Sequence, residues 1–364
     1  MTVSIQDMHY CLAPDRLTDA ELLRTFDEKQ LRSITKMSGI HTRRIVPAGV
    51  TASDLAFVAA ERLLARGTVN RDEIDLLIFA SQTPDHQIPA TACDLHGRLD
   101  LKPQCAAFDI NLGCSAYPYS LAVVHSMLET GLARTALLCN ADAVSTLLHP
   151  KDRSLVPLHG DGAAVTLLKK TDESAGFDGF LMGTDGKSSR EISIPASGMR
   201  IPRSPETRKE SIDESGGVHT QENLCMNGPA VFHFSLKAIP KAINDYLASH
   251  DLTLDDLDLV LLHQANKTMV DLIYRALRIP PEKRFYFMED IGNLAGASTP
   301  ILLNEAWRQG RIKAGQRVLL AAFGNGLSWS VTSLVWPSSI PDANPASVEF
   351  DATLLTDTAT SPSD

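Results

Sequence analysis

Three residues of this chain, a cysteine, a histidine and an asparagine, stand where a predicted strand gives way to a helix or a loop. Cys114 lies in FDINLGCSAYPYS, His263 ends the apolar run LVLLH, and Asn293 lies in the small-residue segment GNLAGAS. Because the N-terminal end of a helix stabilises a thiolate, the position of Cys114 predicts a thiol pKa below the usual ~8.5. A nucleophilic thiol with histidine and asparagine partners suggests acyl transfer.

The two partner residues offer hydrogen bonds rather than a strong base. Burial and the positive end of a helix dipole predict that His263 stays neutral at physiological pH, so its ring can donate a hydrogen bond to a developing oxyanion. Asn293 adds an amide that cannot ionise, and the glycines around Asn325 in AAFGNGLSW can direct backbone N–H groups toward an oxyanion formed on Cys114. Taken singly, each residue also fits a structural role, as a core cysteine, a buried histidine or a turn asparagine.

Internal repetition indicates how the chain positions these residues. Three pairs of segments recur at a spacing of 182 or 183 residues: EIDLLIFASQT with DLDLVLLHQAN, NLGCSA with NLAGAS, and RTALLCNA with RVLLAAFG. This spacing predicts duplicated halves, each with mainly parallel strands joined through helices. We expect the first helix to be capped by Asp54 and the first two strands to be buried. The predicted strands are 75–81, 106–110, 258–263 and 317–323, and the predicted helices are 54–67, 115–131, 230–250, 267–277 and 300–310.

The same pattern divides the chain into four parts. Residues 1–182 form the half that carries the cysteine, and residues 223–337 form the half that carries the histidine and the asparagine. Between them, residues 183–222 are rich in glycine, serine, proline and charge, which predicts a long loop that acts as a lid or a binding loop. Residues 338–364 are polar and lack periodicity, which predicts a disordered tail.

Composition limits the classes of function. The chain has 364 residues, 44% of them hydrophobic, and its net charge of -10 argues against nucleic acid as a partner. Its six cysteines form no C-x-x-C pair and no zinc-binding pattern, which predicts no metal site and reduced thiols in a cytoplasm. No apolar run reaches the ~18 residues of a membrane span, and the first residues are too polar for a signal peptide, so we expect no membrane association.

In order and spacing, the motifs resemble those of the beta-ketoacyl-[acyl carrier protein] synthase III family of the thiolase superfamily. The resemblance runs from about Gly39 to Trp336 and implies an α/β fold with the duplicated five-layer α-β-α-β-α arrangement, normally as a homodimer. The matching segments are GIHTRR, the Cys114 strand and helix, HPKDR, HGDGAA, MNGPAVFHF, HQAN, GNLAGAS and GRIKAGQRVLLAAFGNG.

The resemblance also implies a reaction. Cys114 takes an acyl group as a thioester, with its own N–H and that of Asn325 holding the oxyanion. His263 and Asn293 bind the thioester carbonyl of a malonyl extender, which loses carbon dioxide and attacks the acyl group to give a 3-oxoacyl thioester. No cofactor is implied beyond the substrates, which are acyl-CoA or acyl-carrier-protein thioesters of fatty acid or specialised metabolite biosynthesis.

Four further residues are implied to bind substrate. Arg153 in HPKDR matches the arginine that stacks on the adenine of CoA, although its tryptophan partner is replaced near Ser33, which weakens the case for CoA as the donor. Ile88 replaces an aromatic residue that enters the partner's acyl tunnel, so longer or branched acyl groups become plausible. Phe232 in MNGPAVFHF and Asn266 in HQAN complete the predicted set.

Partners and competing functions stay open on the sequence alone. Lys267, Arg275 and Arg278 are predicted on one helix, where they would form either a basic patch for an acidic acyl carrier protein or a solvated helix face. The absence of a cysteine after Cys225 argues against thiolases, and Gln82 stands where hydroxymethylglutaryl-CoA synthases need a glutamate. The alternatives are a non-decarboxylating acyltransferase that acts on an amine or a hydroxyl, and a non-catalytic partner subunit of a condensing enzyme.

Overall fold

The computed structural model describes residues 2–173, 175–213, 216–343 and 345–358. The strands up to residue 171 are β1 (Thr2–Leu12), β2 (Asp15–Thr18), β3 (Thr42–Ile45), β4 (Leu76–Ala80), β5 (Ala106–Ile110), β6 (Thr135–Ala143) and β7 (Asp161–Thr171). The helices among them are α1 (Asp19–Leu22), α2 (Glu28–Ser38), α3 (Ala52–Leu64), α4 (Thr91–Arg98) and α5 (Ala116–Glu129).

The second half of the chain begins with a strand rather than with a loop. Its strands are β8 (Phe177–Thr184), β9 (Ile192–Ser193), β10 (Ser211–Ile212), β11 (Val218–His219), β12 (Cys225–Met226), β13 (Leu259–Leu262), β14 (Arg317–Gly324) and β15 (Ser328–Val335). Its helices are α6 (Gly228–Ser249), α7 (Lys267–Ala276) and α8 (Ser298–Arg308). Every strand and helix predicted from the sequence is present, with ends that differ by a few residues.

Two sheets repeat one topology. The first has the order β1-β7-β6-β4-β5, and the second has the order β8-β15-β14-β13. In both sheets the third and fourth strands pair in parallel, whereas the second strand is antiparallel to its neighbours. The predicted duplication of halves is therefore confirmed.

Helices fill the space between the sheets and cover their outer faces. Buried residues of α5 and α8, including Leu121, Val124 and Leu302, form one apolar cluster with residues of both sheets. Helices α3 and α4 cover the outer face of the first sheet, and α6 and α7 cover that of the second. These are the five layers, α-β-α-β-α, that the resemblance implied. Since each buried large apolar side chain contributes roughly 1.5–3 kcal/mol, the three clusters hold the layers at fixed separations.

Two local predictions in the first half are wrong. Helix α3 is capped by Thr51, which accepts a hydrogen bond from the backbone of Asp54, so Asp54 is the third helical residue of a capping box. Strand β5 is only half-buried and its Ala106 is exposed, because β5 lies at the edge of the first sheet. An apolar run does not reveal whether its strand has one neighbour or two.

The predicted boundary between the halves is also wrong. A division at residue 182 cuts through β8, which pairs with β15 and so belongs to the second sheet. The segment 183–222 therefore lies inside the second half and is partly ordered by short strands. Strand β9 pairs with β12, and β10 pairs with β11. The β10–β11 hairpin reaches the segment around Lys151, whose carbonyl accepts from Val218 N at 3.4 Å.

The predicted tail is ordered over most of its length. Residues 338–343 and 345–358 are described, and Phe350 and Leu354 pack against the apolar cluster under α3. The end of the prediction, residues 359–364, lies outside the described residues. A polar composition led to the prediction of disorder, but a few apolar side chains suffice to fix the segment.

Backbone and charge pairing hold this C-terminal segment in place. The backbone N–H of Leu12 donates to the carbonyl of Val348 at 2.8 Å. Arg44 is almost fully buried, and its guanidinium forms an ion pair with Glu349, including a hydrogen bond from Nη1 to Oε1 of 3.1 Å. The partner of a buried arginine thus lies more than 300 residues away along the chain, which the sequence pattern does not reveal.

Among the described residues, no helix combines the length and the apolar character that crossing a membrane requires.

Candidate active site

Cys114, His263 and Asn293 line one cavity of about 710 Å³. Cys114 comes from the loop between β5 and α5, His263 follows β13, and Asn293 lies in the loop before α8. The duplicated topology brings these loops together, because corresponding ends of the two sheets meet across the central helices. The structure thus assembles the three residues, while their catalytic roles remain predictions.

The sulfur of Cys114 is reached through the cavity, but protein surrounds it on its other sides. Burial, followed by the negative charge of Asp142, raises the pKa of the Cys114 thiol to about 12, although its own backbone N–H opposes this effect. The predicted lowering of the thiol pKa is therefore wrong. Helix α5 begins two residues later, at Ala116, so Cys114 precedes the helix rather than lying within it. A pKa this high favours the protonated thiol at neutral pH.

A glycine backbone packs directly against this cysteine. A Cβ atom added to Gly324 would lie 2.4 Å from Cys114 Cβ and 3.0 Å from its Sγ. Only glycine fits at this approach. The contact places the turn after β14 beside the sulfur, where the resemblance implies that the N–H of Asn325 holds the oxyanion. The Asn325 side chain turns toward the first half, and its Nδ2 donates to Gln82 Oε1 at 2.6 Å.

His263 is held neutral by its surroundings. Its side chain is 1% exposed, and burial, with a smaller contribution from the positive charge that His159 can carry, lowers the pKa of His263 to about 3. The predicted neutral imidazole is in agreement with this shift. The ring of Phe323 meets the imidazole edge to face, with centroids 5.6 Å apart. Within the described part of the chain, Nδ1 of His263 has no hydrogen-bond partner.

The orientation of the Asn293 amide follows from its hydrogen bonds. Its Oδ1 accepts from the backbone N–H of Ala295 at 3.0 Å and from Ser298 Oγ at 3.3 Å. Because the oxygen faces its own loop, the amide nitrogen is the group presented to the cavity. The backbone is fixed as well, since Asn293 N donates to Leu158 O at 2.8 Å and Asn293 O accepts from Gly160 N at 3.0 Å.

The sequence analysis missed a buried carboxylate at this site. Asp142 lines the cavity and accepts hydrogen bonds of 2.8 Å from the backbone N–H groups of Gln82 and Gly296, and one of 3.2 Å from Ser81 Oγ. Burial raises the pKa of Asp142 to about 7 despite these bonds. A carboxylate inside the mostly apolar run ALLCNADAV was the signal that could have identified it.

The remaining predicted substrate residues divide into two groups. Phe232 and Asn266 line the cavity, and Asn266 also caps α7, because its Oδ1 accepts from Met269 N at 2.8 Å. Ile88 and Arg153 are not on the cavity wall. Ile88 is 89% exposed, as a residue directed at a partner would be, and Arg153 lies against the backbone of the β10–β11 hairpin. The roles of all four stay predictions.

The predicted basic surface is only partly helical. Helix α7 ends at Ala276, and Arg278 lies beyond it with a positive φ of 56°. Lys267 forms an ion pair of 2.9 Å with Asp271, whereas Arg275 and Arg278 are exposed. The prediction of one helix carrying all three cations is therefore wrong for Arg278. Across the described ranges, no group of three or more His, Cys, Asp or Glu residues is arranged to hold a metal ion.

Comparison with family models gives two matches. Residues 108–186 match the model of 3-oxoacyl-[acyl-carrier-protein (ACP)] synthase III, and residues 247–336 match the model of its C-terminal part. These ranges contain Cys114, His263 and Asn293.

Individual relatives extend the likeness over most of the chain. The chain is 34% identical over 321 residues to a beta-ketoacyl-[acyl-carrier-protein] synthase III of Caldanaerobacter subterraneus, covering 87% of this chain and 94% of the relative. It is 36% identical over 330 residues to a putative 3-oxoacyl-[acyl-carrier-protein] synthase 3 of Campylobacter jejuni, covering 90% of each. A crystal structure of 3-oxoacyl-(acyl-carrier protein) synthase from Burkholderia xenovorans matches with a TM-score of 0.86 and 33% identity, over 94% of this chain and 96% of that one.

Proposed function

This chain belongs to the 3-oxoacyl-[acyl-carrier-protein] synthase III family of condensing enzymes, and we propose that Cys114, His263 and Asn293 carry out its two chemical steps. The product is a 3-oxoacyl thioester. The observation that supports this assignment is that a thiol, a neutral imidazole and an amide nitrogen from both halves line one cavity.

The first step loads an acyl group. The sulfur of Cys114 replaces the sulfur of the donor thioester at the acyl carbon, and the proton of the Cys114 thiol passes to the departing donor sulfur. Since the resting thiol is protonated, this transfer releases a neutral thiol and leaves no buried charge behind. Backbone N–H groups of Cys114 and Asn325 stabilise the oxyanion of the intermediate.

The second step forms the carbon–carbon bond. The malonyl thioester binds with its carbonyl oxygen between the Asn293 amide nitrogen and the His263 ring, which stabilise the enolate left by loss of carbon dioxide. The enolate carbon attacks the acyl carbon, the bond between that carbon and the Cys114 sulfur breaks, and the departing thiolate takes a proton from water. A neutral imidazole suits this role because it donates a hydrogen bond without protonating the carbanion. Neither step requires a cofactor.

The proposed partners follow from exposed features. Strand β5 has β4 as its one neighbour among the described strands, so a second copy of the chain can extend the sheet in a homodimer. The substrates are carried by an acyl carrier protein or by CoA, and exposed Arg275 and Arg278 offer positive charge to an acidic carrier. Reversing both charges should raise KM for a carrier-bound substrate and leave a CoA substrate unaffected; an equal effect on both would remove this role. Six free cysteines support a cytoplasmic location.

Intact-protein mass spectrometry combined with release of labelled carbon dioxide tests the reaction. The enzyme is incubated with a panel of acyl thioesters and then with a malonyl thioester labelled in its free carboxyl group. We expect an acyl mass on Cys114, followed by carbon dioxide release and loss of that mass. Cys114→Ala should abolish all three.

Cys93→Ala is the matched control, because Cys93 is exposed on α4 and does not line the cavity. It should behave like the unaltered enzyme. Acyl transfer without carbon dioxide release would contradict condensation and support transfer to an amine or a hydroxyl. If no donor labels Cys114, the chain is not a catalyst of this type.

A further inference from the structure

The wall of the cavity beside Cys114 is mostly apolar. Val144, Leu155 and Ala295 belong to one small cluster against which Cys114 packs, together with Leu224. These side chains line the cavity and provide the surface that an acyl chain on Cys114 would contact. A wall of this kind accommodates aliphatic carbon, so any hydrogen-bonding group that interrupts it has a strong effect on which acyl groups bind.

One such group is the ring of His159. Its Nδ1 lies 3.1 Å from the carbonyl oxygen of Leu155. A carbonyl can only accept, so Nδ1 carries the ring proton. Burial lowers the pKa of His159, which favours the neutral ring, and in the neutral ring Nε2 is an acceptor. Because Nδ1 is bonded to its own loop and His159 lines the cavity, Nε2 is the ring nitrogen left for a group in the cavity.

A second interruption is the amide pair that joins the two halves. Gln82 Oε1 accepts from Asn325 Nδ2 at 2.6 Å, so Gln82 keeps its amide nitrogen as a donor. Asn325 Oδ1 is buried and has no hydrogen-bond partner in the described part of the chain. Both residues line the cavity that holds Cys114. The cavity thus combines acceptors on His159 and Asn325 with a donor on Gln82.

The backbone of His159 ties this polar group to the reacting centre. His159 and Asn293 form an isolated bridge between their backbones, and Asn293 presents its amide nitrogen to the same cavity. The acceptor on His159 is therefore held in register with the donor that acts on the malonyl carbonyl. A group bound by His159 therefore lies in the cavity that holds Cys114 rather than at a remote surface.

Resting on the proposed function, we propose that the acyl group loaded on Cys114 carries a hydroxyl, and that His159 recognises it through Nε2. A hydroxyl donates one hydrogen bond and accepts others, which matches the mixed donors and acceptors of this wall. It is also neutral, whereas an ammonium group would carry a charge into a cavity with an apolar lining. An unsubstituted alkyl chain would remove water from His159 Nε2 without replacing its hydrogen bond, which disfavours loading.

The hydroxyl takes no part in the bond changes. During loading, the bond between the acyl carbon and the donor sulfur breaks, a bond between the acyl carbon and Cys114 Sγ forms, and the Cys114 proton moves to the donor sulfur. His159 acts as a specificity-determining residue for the acyl group. It neither gives nor takes a proton.

Competition between matched donors tests this proposal. Pantetheine thioesters remove any effect of the carrier. Each isomer, 2-, 3- or 4-hydroxybutyrate, competes with butyrate in a separate reaction, where the mass added to Cys114 distinguishes the hydroxyacyl group from butyryl. At least one hydroxy isomer should load with a kcat/KM about tenfold or more above that of butyrate, which is the expected effect of one hydrogen bond in a desolvated site. In His159→Phe, which keeps a ring but removes the acceptor, the ratio should fall to one or below.

His159→Gln retains an acceptor oxygen and should restore part of the preference. The competition with the unaltered enzyme tests the preference for a hydroxyl even if either variant fails to fold. Equal loading of butyrate and all hydroxy isomers would overturn the proposed recognition of a hydroxyl by His159. A preference that His159→Phe does not change would overturn it too. Either result leaves the condensing function standing. Absence of loading by every donor would overturn the proposed function together with this inference, so the two failures are distinguishable.

Discussion

Gly324 and Cys114 are in direct contact across the two halves of the chain, and a side chain on the glycine would overlap the cysteine. The distance of 2.4 Å from an added Cβ to Cys114 Cβ is shorter than real carbon contacts allow. Cys114 is thus positioned by a backbone from the opposite half, in addition to its own loop.

This contact predicts that Gly324→Ala displaces Cys114. We expect the rate of acyl loading to fall about 100-fold, because a misplacement of about 1 Å in a reacting group has this order of effect. Gly97→Ala is the control, since nothing lies within 4 Å of an added Cβ at that helical position. Loading by Gly324→Ala at the rate of the control would show that the close approach has no role in positioning.

The lowered pKa of His263 predicts acid sensitivity. The unfolded chain binds a proton at this residue below about pH 6.5, whereas the folded protein does so only near pH 3. The free energy of unfolding contributed by His263 is therefore complete above pH 6.5 and is lost as the pH falls toward 3, by an amount on the order of 1 kcal/mol at about pH 5.5.

Urea unfolding at a series of pH values measures this loss. His263→Asn cannot titrate and should lose less stability between about pH 7 and 5 than the unaltered protein. His86→Asn, at an exposed loop position, should retain the full pH dependence. The account of His263 is wrong if its variant keeps the same slope as the unaltered protein.

The pair of Arg44 and Glu349 predicts that the C-terminal segment stabilises the first half. Glu349→Gln leaves the charge of a guanidinium that is 2% exposed without its partner. Because the carboxylate is about half exposed, we expect a loss of roughly 1–3 kcal/mol in the free energy of unfolding, below the effect of a fully buried pair. Glu28→Gln removes the partner of exposed Arg32 and should cost less than about 0.5 kcal/mol. Equal effects of the two substitutions would show that the segment only rests on the surface.

The sequence predicted the duplicated fold and the segments that bring Cys114, His263 and Asn293 to one cavity, because both depend on local patterns. Regular spacing revealed the duplication, and Cys114, His263 and Asn293 each follow a recognisable strand or glycine-containing loop. The direction of the pKa shift of the Cys114 thiol was harder to predict. A helix start predicted a lowered pKa for Cys114, whereas the folded protein buries the thiol near Asp142 and raises it.

Contacts between distant segments could not be predicted. The amide pair of Gln82 and Asn325 joins residues separated by 243 positions, and neither residue is part of a helix or strand pattern that indicates the other. The Thr51 cap was missed for a different reason, since both Thr51 and Asp54 are residues that favour a helix start. Only the backbone conformation shows that Thr51 is the cap and that Asp54 is the third helical residue.

The central claim is that Cys114 carries the acyl group while Asn293 and His263 promote decarboxylation in the same cavity. Asn293→Asp tests it most directly, because it keeps an oxygen for the Ala295 N–H and removes the amide donor. The rate of carbon dioxide release from a malonyl thioester, divided by the rate of Cys114 loading measured by intact mass, should fall about 100-fold or more. An unchanged ratio, with both rates retained or both lost in proportion, would contradict the division of roles between the thiol and the two donors.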